Sequence, residues 1–280
     1  MILKLDEITW VELDRLDRNR TLVLIPISPI EEHGPHLPLG TDIMAAADIA
    51  GETARELDAD APDGPVVLCP PIPLGCAAVT ADFPGTVSLK GTTLKNVILD
   101  ICRSWVRHDF RYLLFCNHHL DPIHMKAILS AIEEIEAVYS VRIAENLSRT
   151  VYAGLENEAV TRGQSMGLDM RYEVHADAKE TAYIRFRRPD LYSADIARID
   201  PVLIDVRKGM HDGHTTFKQM GADLGYVGSP AQSDPTFGRL HLEACVRQTV
   251  DLALNLLGGR PLPPIDPRVK SFLADHVRLD

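Results

Sequence analysis

Long apolar runs are missing from this chain. None approaches the roughly 18 residues needed to cross a bilayer, so no membrane-spanning helix is expected. A basic excess is missing too. The 280 residues carry 29 Lys and Arg against 40 Asp and Glu, a net charge of −11. A nucleic-acid partner would require the opposite, a basic patch. Cysteine is scarce and unpatterned. Cys69, Cys76, Cys102, Cys116 and Cys245 are odd in number and contain no CxxC spacing, so reduced, buried thiols are expected rather than a disulfide framework. The opening MILKLDEITW has neither the basic start nor the apolar stretch of a secretory signal, and a cytoplasmic location is expected. Low-complexity tracts and internal repeats are absent. What remains, 45% apolar and 25% charged, is the composition of a chain that can bury a sizeable core.

Strand-like and helix-like segments alternate. Thr21–Ile27 is a continuous β-branched and leucine run, expected to be a strand buried on both faces. Val66–Leu74, Tyr112–Cys116 and Val141–Ala144 read as further strands. Met44–Leu57, Thr92–Val106, Ile123–Val138 and Leu240–Leu257 read as helices, the second with Leu94, Val97, Ile98, Ile101 and Trp105 at three- and four-residue steps. Strands alternating with helices imply βαβ units. The expected fold is α/β: a three-layer α/β/α sandwich on a mostly parallel sheet, as one domain over residues 1–280. Residues 160–235, rich in Gly, Asp and His, are expected to form loops and short elements around a site.

In open parallel sheets, ligands bind beyond the carboxyl ends of the strands. Two polar clusters sit at such ends: Glu31, His33 and Asp42 after the first run, and N117-H118-H119-L120-D121 after the third. Residues two apart in extended backbone point the same way. Glu31 with His33, and His119 with Asp121, can therefore each present two ligands to one place. Two imidazoles and three carboxylates suit two divalent ions, Zn and/or Mn, with Asp42 the natural bridge between them. Such ions would generate a nucleophile from water near neutral pH. Asp121-Pro122 before an apolar run is equally an N-cap with proline at N1, and a carboxylate can serve both roles. His118 and His36 read as supporting or structural residues, Glu32 as solvated or paired, and His124 as a surface or supporting residue. His211, Asp212 and His214 fall in a Gly-flanked loop and read as surface or pocket-edge groups.

SPIEEHGPHLPLGTD at 28–42 resembles the creatininase family signature, GS-x-EQHGPHLPLGTD. FPGTVSL at 83–89, HADAKETA at 175–182 and GYVGSPAQSDPTFG at 225–238 are similar to later family segments, in the family's order. The resemblance implies metal ligation by Glu31, His33, Asp42 and His119. It places Asp121 where creatininase itself has a liganding glutamate. It makes His175 the proton shuttle and Glu180 a group that orients His175 or touches metal. It also implies a homohexamer.

The chain departs from the family around the substrate. The usual Asn-Gly-His-Gly-Gly-Asn reads Asn117-His118-His119-Leu120-Asp121-Pro122, and the polar groups before FPGT are replaced by Ala77, Val79 and Thr80. Arg171 stands where creatininase has an aromatic over the substrate, with Tyr172 next to it. Leu120, Arg171 and Tyr172 are thus the expected substrate contacts. Arg171 would suit a carboxylate or phosphate, or else is a solvated surface residue. The implied function is hydrolysis of a C–N bond in a small cyclic amide or formamide other than creatinine. The family's breadth leaves C–C or C–O hydrolysis of a cyclic ketone or lactone open. The altered loop leaves open a binding protein with a degraded site.

Overall fold

The computed structural model describes residues 1–60, 64–150, 157–193 and 198–280. Five parallel strands form one sheet in the order β1-β3-β2-β4-β5: β1 (Ile2–Lys4), β2 (Leu22–Pro26), β3 (Val66–Leu68), β4 (Tyr112–Cys116) and β5 (Arg142–Glu145). The helices are α1 (Trp10–Asp14), α2 (Thr41–Asp60), α3 (Gly91–Val106), α4 (Pro122–Val138), α5 (Asn146–Thr150), α6 (Glu158–Ser165), α7 (Ala178–Arg187), α8 (Val206–His211), α9 (Pro235–Leu257) and α10 (Pro267–His276).

Side chains alternate across a strand, and here each set meets its own helical layer. Val23, Ile25, Val67, Leu113, Phe115 and Ile143 pack on Leu94, Ile98 and Cys102 of α3 and on Ala127, Ile128 and Ala131 of α4. Leu22, Leu24, Val66, Leu114 and Ala144 pack on Ala50, Ala54 and Leu57 of α2 and on Leu252, Ala253 and Leu256 of α9. The three-layer α/β/α sandwich follows from this alternation. Phe115 is wholly enclosed, and truncating such a side chain to alanine costs about 3–5 kcal/mol.

The strand order places the site. From β2 the chain runs through α2 to β3 on one side; from β4 it runs through α4 to β5 on the other. The carboxyl ends of the adjacent strands β2 and β4 therefore flank the point where the winding reverses, the crevice in which open α/β sheets bind ligands.

Several elements differ from the sequence reading. The strand expected over 66–74 stops at Leu68, because Pro70, Pro71 and Pro73 cannot donate to a ladder. The closing helix begins five residues earlier than expected, at Pro235, capped by the Asp234 carboxylate on Phe237 N–H. β1 is a three-residue edge strand paired only to β3, too short to show a period. The 160–235 stretch, of which residues 194–197 lie outside the described residues, contains α7. That helix is enclosed on most sides, with Ala178, Glu180, Thr181, Ala182, Tyr183 and Ile184 all buried, so it carries no amphipathic stripe to read.

Candidate metal centre

Three segments converge at the β2/β4 crevice. The first leaves β2 and turns through Gly34, whose φ of +64° suits glycine and whose Cβ would meet His36 Nδ1 at 2.9 Å. It returns at Leu39, whose carbonyl accepts from Glu31 N–H at 2.9 Å, and enters α2 with Asp42 in its first turn. The second is the loop after β4. Asn117 shapes it: its Oδ1 accepts from His119 N–H at 2.9 Å and its Nδ2 donates to the His119 carbonyl at 2.8 Å. Ser28 ties the two segments together, donating to Asn117 Oδ1 and accepting from His118 N–H. The third carries His175, held by backbone bonds to Val227, and then Glu180 in the first turn of α7, which is capped by Asp177.

The side chains form three overlapping clusters: Glu31, Asp42 and His119; His33, Asp42 and Glu180; Glu31, His33 and His175. Within each, the ligand atoms lie within 4.8 Å of one another. Asp42 belongs to two clusters and gives each a different oxygen. Its Oδ1 is 3.5 Å from His33 Nε2, and its Oδ2 is 3.0 Å from His119 Nδ1.

Backbone carbonyls assign the tautomers. His33 Nδ1 lies 3.0 Å from the Glu31 carbonyl and His119 Nε2 lies 2.8 Å from the Cys76 carbonyl. A carbonyl only accepts, so each of those nitrogens carries hydrogen. The opposite nitrogens then turn lone pairs toward carboxylates, the arrangement in which metal-binding histidines are held. His33 Nε2 and Glu31 Oε2 are buried without a hydrogen-bond partner. A lone pair facing carboxylate oxygens is tolerated only with a proton or a cation between them. The donor set, two imidazole nitrogens and three carboxylates, fits divalent Zn or Mn.

The electrostatics agree. Burial opposes charge on His33, but Asp42 and then Glu180 and Glu31 outweigh it and raise the imidazole to about 10. Burial likewise opposes charge on His119, and Glu31 and Asp42 raise it well above the usual histidine range. Asp42, despite its burial, is held well below the usual carboxylate range by His33, His118 and His119. Glu180 goes the other way: burial pushes it up, against the pull of His33. His175 packs on His33 at a ring-centroid distance of 4.5 Å and on Phe217 at 5.2 Å. Its Nε2 donates to the Glu32 carbonyl at 2.8 Å. Burial opposes charge on this ring, and Glu31 raises it above the usual value.

Of the residues singled out in the sequence, Glu31, His33, Asp42, His119, His175 and Glu180 meet in these clusters. Asp121 stands apart. Its Oδ1 accepts from Ile123 and His124 N–H and its Oδ2 from Ala78 and Val79 N–H, so both oxygens serve backbone donors. Arg171 also stands apart: it is exposed and forms a two-pronged pair with Asp169, its guanidinium 5.5 Å from the Tyr172 ring. Leu120 is 37% exposed. His36 bonds to the Ala176 carbonyl and Thr181 Oγ1, both at 3.1 Å, and so joins the first segment to the third. Glu32 is buried and accepts from Gly34 N–H. His124 is fully buried, packed edge-on against His119 at 5.1 Å, with Nδ1 accepting from Cys76 N–H; no surface role remains for it. His211, Asp212 and His214 are exposed. Two contributors were assigned no role in the site from the sequence. Thr80 Oγ1 donates to Glu31 Oε1 at 2.5 Å, and His241 of α9 meets His118, Nε2 to Nε2, at 3.0 Å.

A family model described as Creatininase: Creatinine amidohydrolase matches residues 6–253. Over 115 residues the chain is 38% identical to the mycofactocin precursor peptide peptidase of Mycolicibacterium smegmatis, covering 41% of this chain and 46% of that one. Over 121 residues it is 27% identical to the creatinine amidohydrolase of Pseudomonas putida, covering 41% and 44%. These matches span less than half the length of either curated relative. Among solved structures, a manganese creatininase superposes with a TM-score of 0.71 at 21% identity, covering 91% of this chain and 98% of that one. A mutant creatininase of Zn-Zn type superposes with a TM-score of 0.70 at 21% identity, covering 91% and 98%. Creatininase structures thus share this fold, and the family match extends from before β2 through most of α9: the chain belongs to the creatininase family.

Proposed function

We propose that this protein is a binuclear metal-dependent amidohydrolase acting on the C–N bond of a small cyclic amide or formamide. The observation that carries the reading is the divided carboxylate of Asp42, one oxygen in each of two buried clusters that also hold unpartnered ligand atoms. Glu31, Asp42 and His119 would hold one divalent ion, and His33, Asp42 and Glu180 the other, Zn and/or Mn. When bound, the ions polarise the substrate carbonyl and lower the pKa of a water toward neutrality.

The chain's own residues supply the rest. Thr80 fixes Glu31 by donating to Oε1, leaving Oε2 for the first ion. The Glu32 carbonyl holds His175 Nε2–H, so Nδ1 is the atom left to take a proton and return it to the leaving nitrogen. Enclosure of the cluster excludes bulk water and strengthens every charge within it. The curated relatives are named as a creatinine amidohydrolase and a precursor peptide peptidase. Both names describe amide cleavage, which favours C–N over C–C or C–O hydrolysis. The replaced loop residues favour a substrate other than creatinine.

Reconstitution tests this. Chelator-stripped protein is titrated with Mn²⁺ or Zn²⁺, and its metal content and hydrolysis of a panel of cyclic amides and formamides are measured. Glu31→Gln and His119→Ala should lose metal and activity together. A native protein that takes up no metal and hydrolyses nothing in the panel would reject the enzyme in favour of a binding protein.

A further inference from the structure

The signature loop of the family has glycine before its liganding histidine; this chain has His118, and α9 supplies His241 to meet it. His118 Nδ1 lies 3.2 Å from Asp42 Oδ1, the oxygen that faces His33. Its Nε2 lies 3.0 Å from His241 Nε2. Cys245 Sγ is 4.0 Å from the same His241 nitrogen, and Glu180 Oε1 is 3.9 Å from His118 Nδ1. The His118 ring is clamped, stacked on Tyr183 at 6.2 Å and edge-on to His241 at 5.3 Å, while its backbone N–H is fixed by Ser28.

We infer that His118 and His241 are a positioning pair that sets the orientation of the Asp42 carboxylate, a role that rests on the binuclear reading above. Unlike His33 and His119, His118 turns its other nitrogen to His241 and not to a backbone carbonyl, which leaves Nδ1 to carry the hydrogen that Asp42 Oδ1 accepts. One hydrogen lies in the Nε2–Nε2 contact and joins His241 to His118. The series runs from His241 through His118 to the bond with Asp42 Oδ1. That bond fixes the plane of the carboxylate. Oδ1 stays toward His33 and Glu180, and Oδ2 toward His119 and Glu31. Neither histidine touches the reacting atoms. They act through Asp42, as hydrogen-bond partners of metal ligands do elsewhere, where their loss costs about 10–100-fold in metal affinity or activity.

Asparagine separates orientation from bulk. Its amide N–H can occupy the place of His118 Nδ1 but cannot reach His241. Affinity for the weaker-bound ion is measured by chelator competition with Mn²⁺ and with Zn²⁺, alongside the melting temperature of each metal-free variant. His118→Ala should weaken that ion about 10–100-fold, and His118→Asn should stay within about threefold of native. His241→Phe should cost about tenfold in the native background and nothing in the His118→Asn background, the signature of two residues acting in series. The inference is overturned if His118→Asn is as impaired as His118→Ala, which would mark His118 as a ligand or mere filler. It is also overturned if His241→Phe costs the same in both backgrounds. Native protein that binds fewer than two ions removes the underlying reading and this one with it. Native protein that binds two, with His118→Ala unchanged, removes this one alone.

Discussion

Replacing Asp121 with alanine should destabilise the protein and leave its metal content intact. The carboxylate accepts four backbone hydrogen bonds. Two belong to the first turn of α4, from Ile123 at 2.7 Å and His124 at 3.2 Å. Losing an N-cap of this kind costs about 0.5–2 kcal/mol. The other two come from Ala78 at 2.9 Å and Val79 at 3.4 Å, in the segment that carries Thr80 to Glu31. A buried N–H left without an acceptor costs about 1–3 kcal/mol, and the long Val79 contact adds little. Against this, burial raises the Asp121 pKa, so removing the charge recovers part of the loss. The balance is on the order of 3 kcal/mol, or about 5 °C in melting temperature for a chain of this length. The assay is a thermal melt of the chelated variant paired with metal analysis after reconstitution. Asp121→Asn, which keeps the cap oxygen, should lose less. A variant that melts within about 2 °C of native yet binds one ion fewer would show that Asp121 is a ligand and that the capping account is wrong.

Three further outcomes are expected. His33 is raised to about 10 in the metal-free protein by Asp42 and its neighbours, against the opposing effect of burial, and stands near 6.5 when unfolded. Its contribution is therefore complete below about pH 6.5 and is lost as pH rises toward 10, by up to about 5 kcal/mol. Chelated protein should melt progressively lower across that window and metal-loaded protein should not; parallel curves for the two would be the contrary result. Burial raises Glu180, so its charged form is a cost to folding. Glu180→Gln should bind one ion fewer while the metal-free variant is at least as stable as native; two bound ions would remove Glu180 from the ligand set. Arg171 is exposed and paired with Asp169, so Arg171→Ala should keep kcat/KM within about twofold. A large rise in KM would return Arg171 to the substrate site.

Periodicity made much of the sheet legible. Tyr112–Cys116 is a strand at its expected ends, because a run of YLLFC buried on both faces has no polar residue to blur it. α3 was equally open to reading, since its apolar stripe faces the sheet and its other faces meet water. α7 was not, because it is buried nearly all round and its sequence, AKETAYIRFR, mixes charge with apolar residues on every face. Its lysine and glutamate are satisfied locally: Lys179 by Asp177 and the Glu173 carbonyl, and Glu180 by Ala176 N–H. Pairings of that kind depend on tertiary placement and leave no period. The same reason hid His241, which lies on an ordinary long helix more than a hundred residues from its partner.

In the proposed binuclear centre, charge favours Glu180 over Asp121 at the second ion. Two divalent ions would bring four positive charges. Glu31, Asp42 and Glu180 would return three, leaving one unit to balance the hydroxide formed from water. Adding Asp121 as a fourth anionic ligand would cancel that charge and remove the acceptor of four backbone donors. Spacing favoured Asp121, because in extended backbone it shares a face with His119. The proline that follows reverses that expectation. Pro122 at N1 starts α4 at once and turns the carboxylate onto the helix's own N–H groups. Glu180, on the first turn of α7, faces the Asp42 and His33 side of the cluster instead. The third carboxylate would thereby be drawn from a distant helix, and the imidazole of His118 lies beside Asp42 at 3.2 Å.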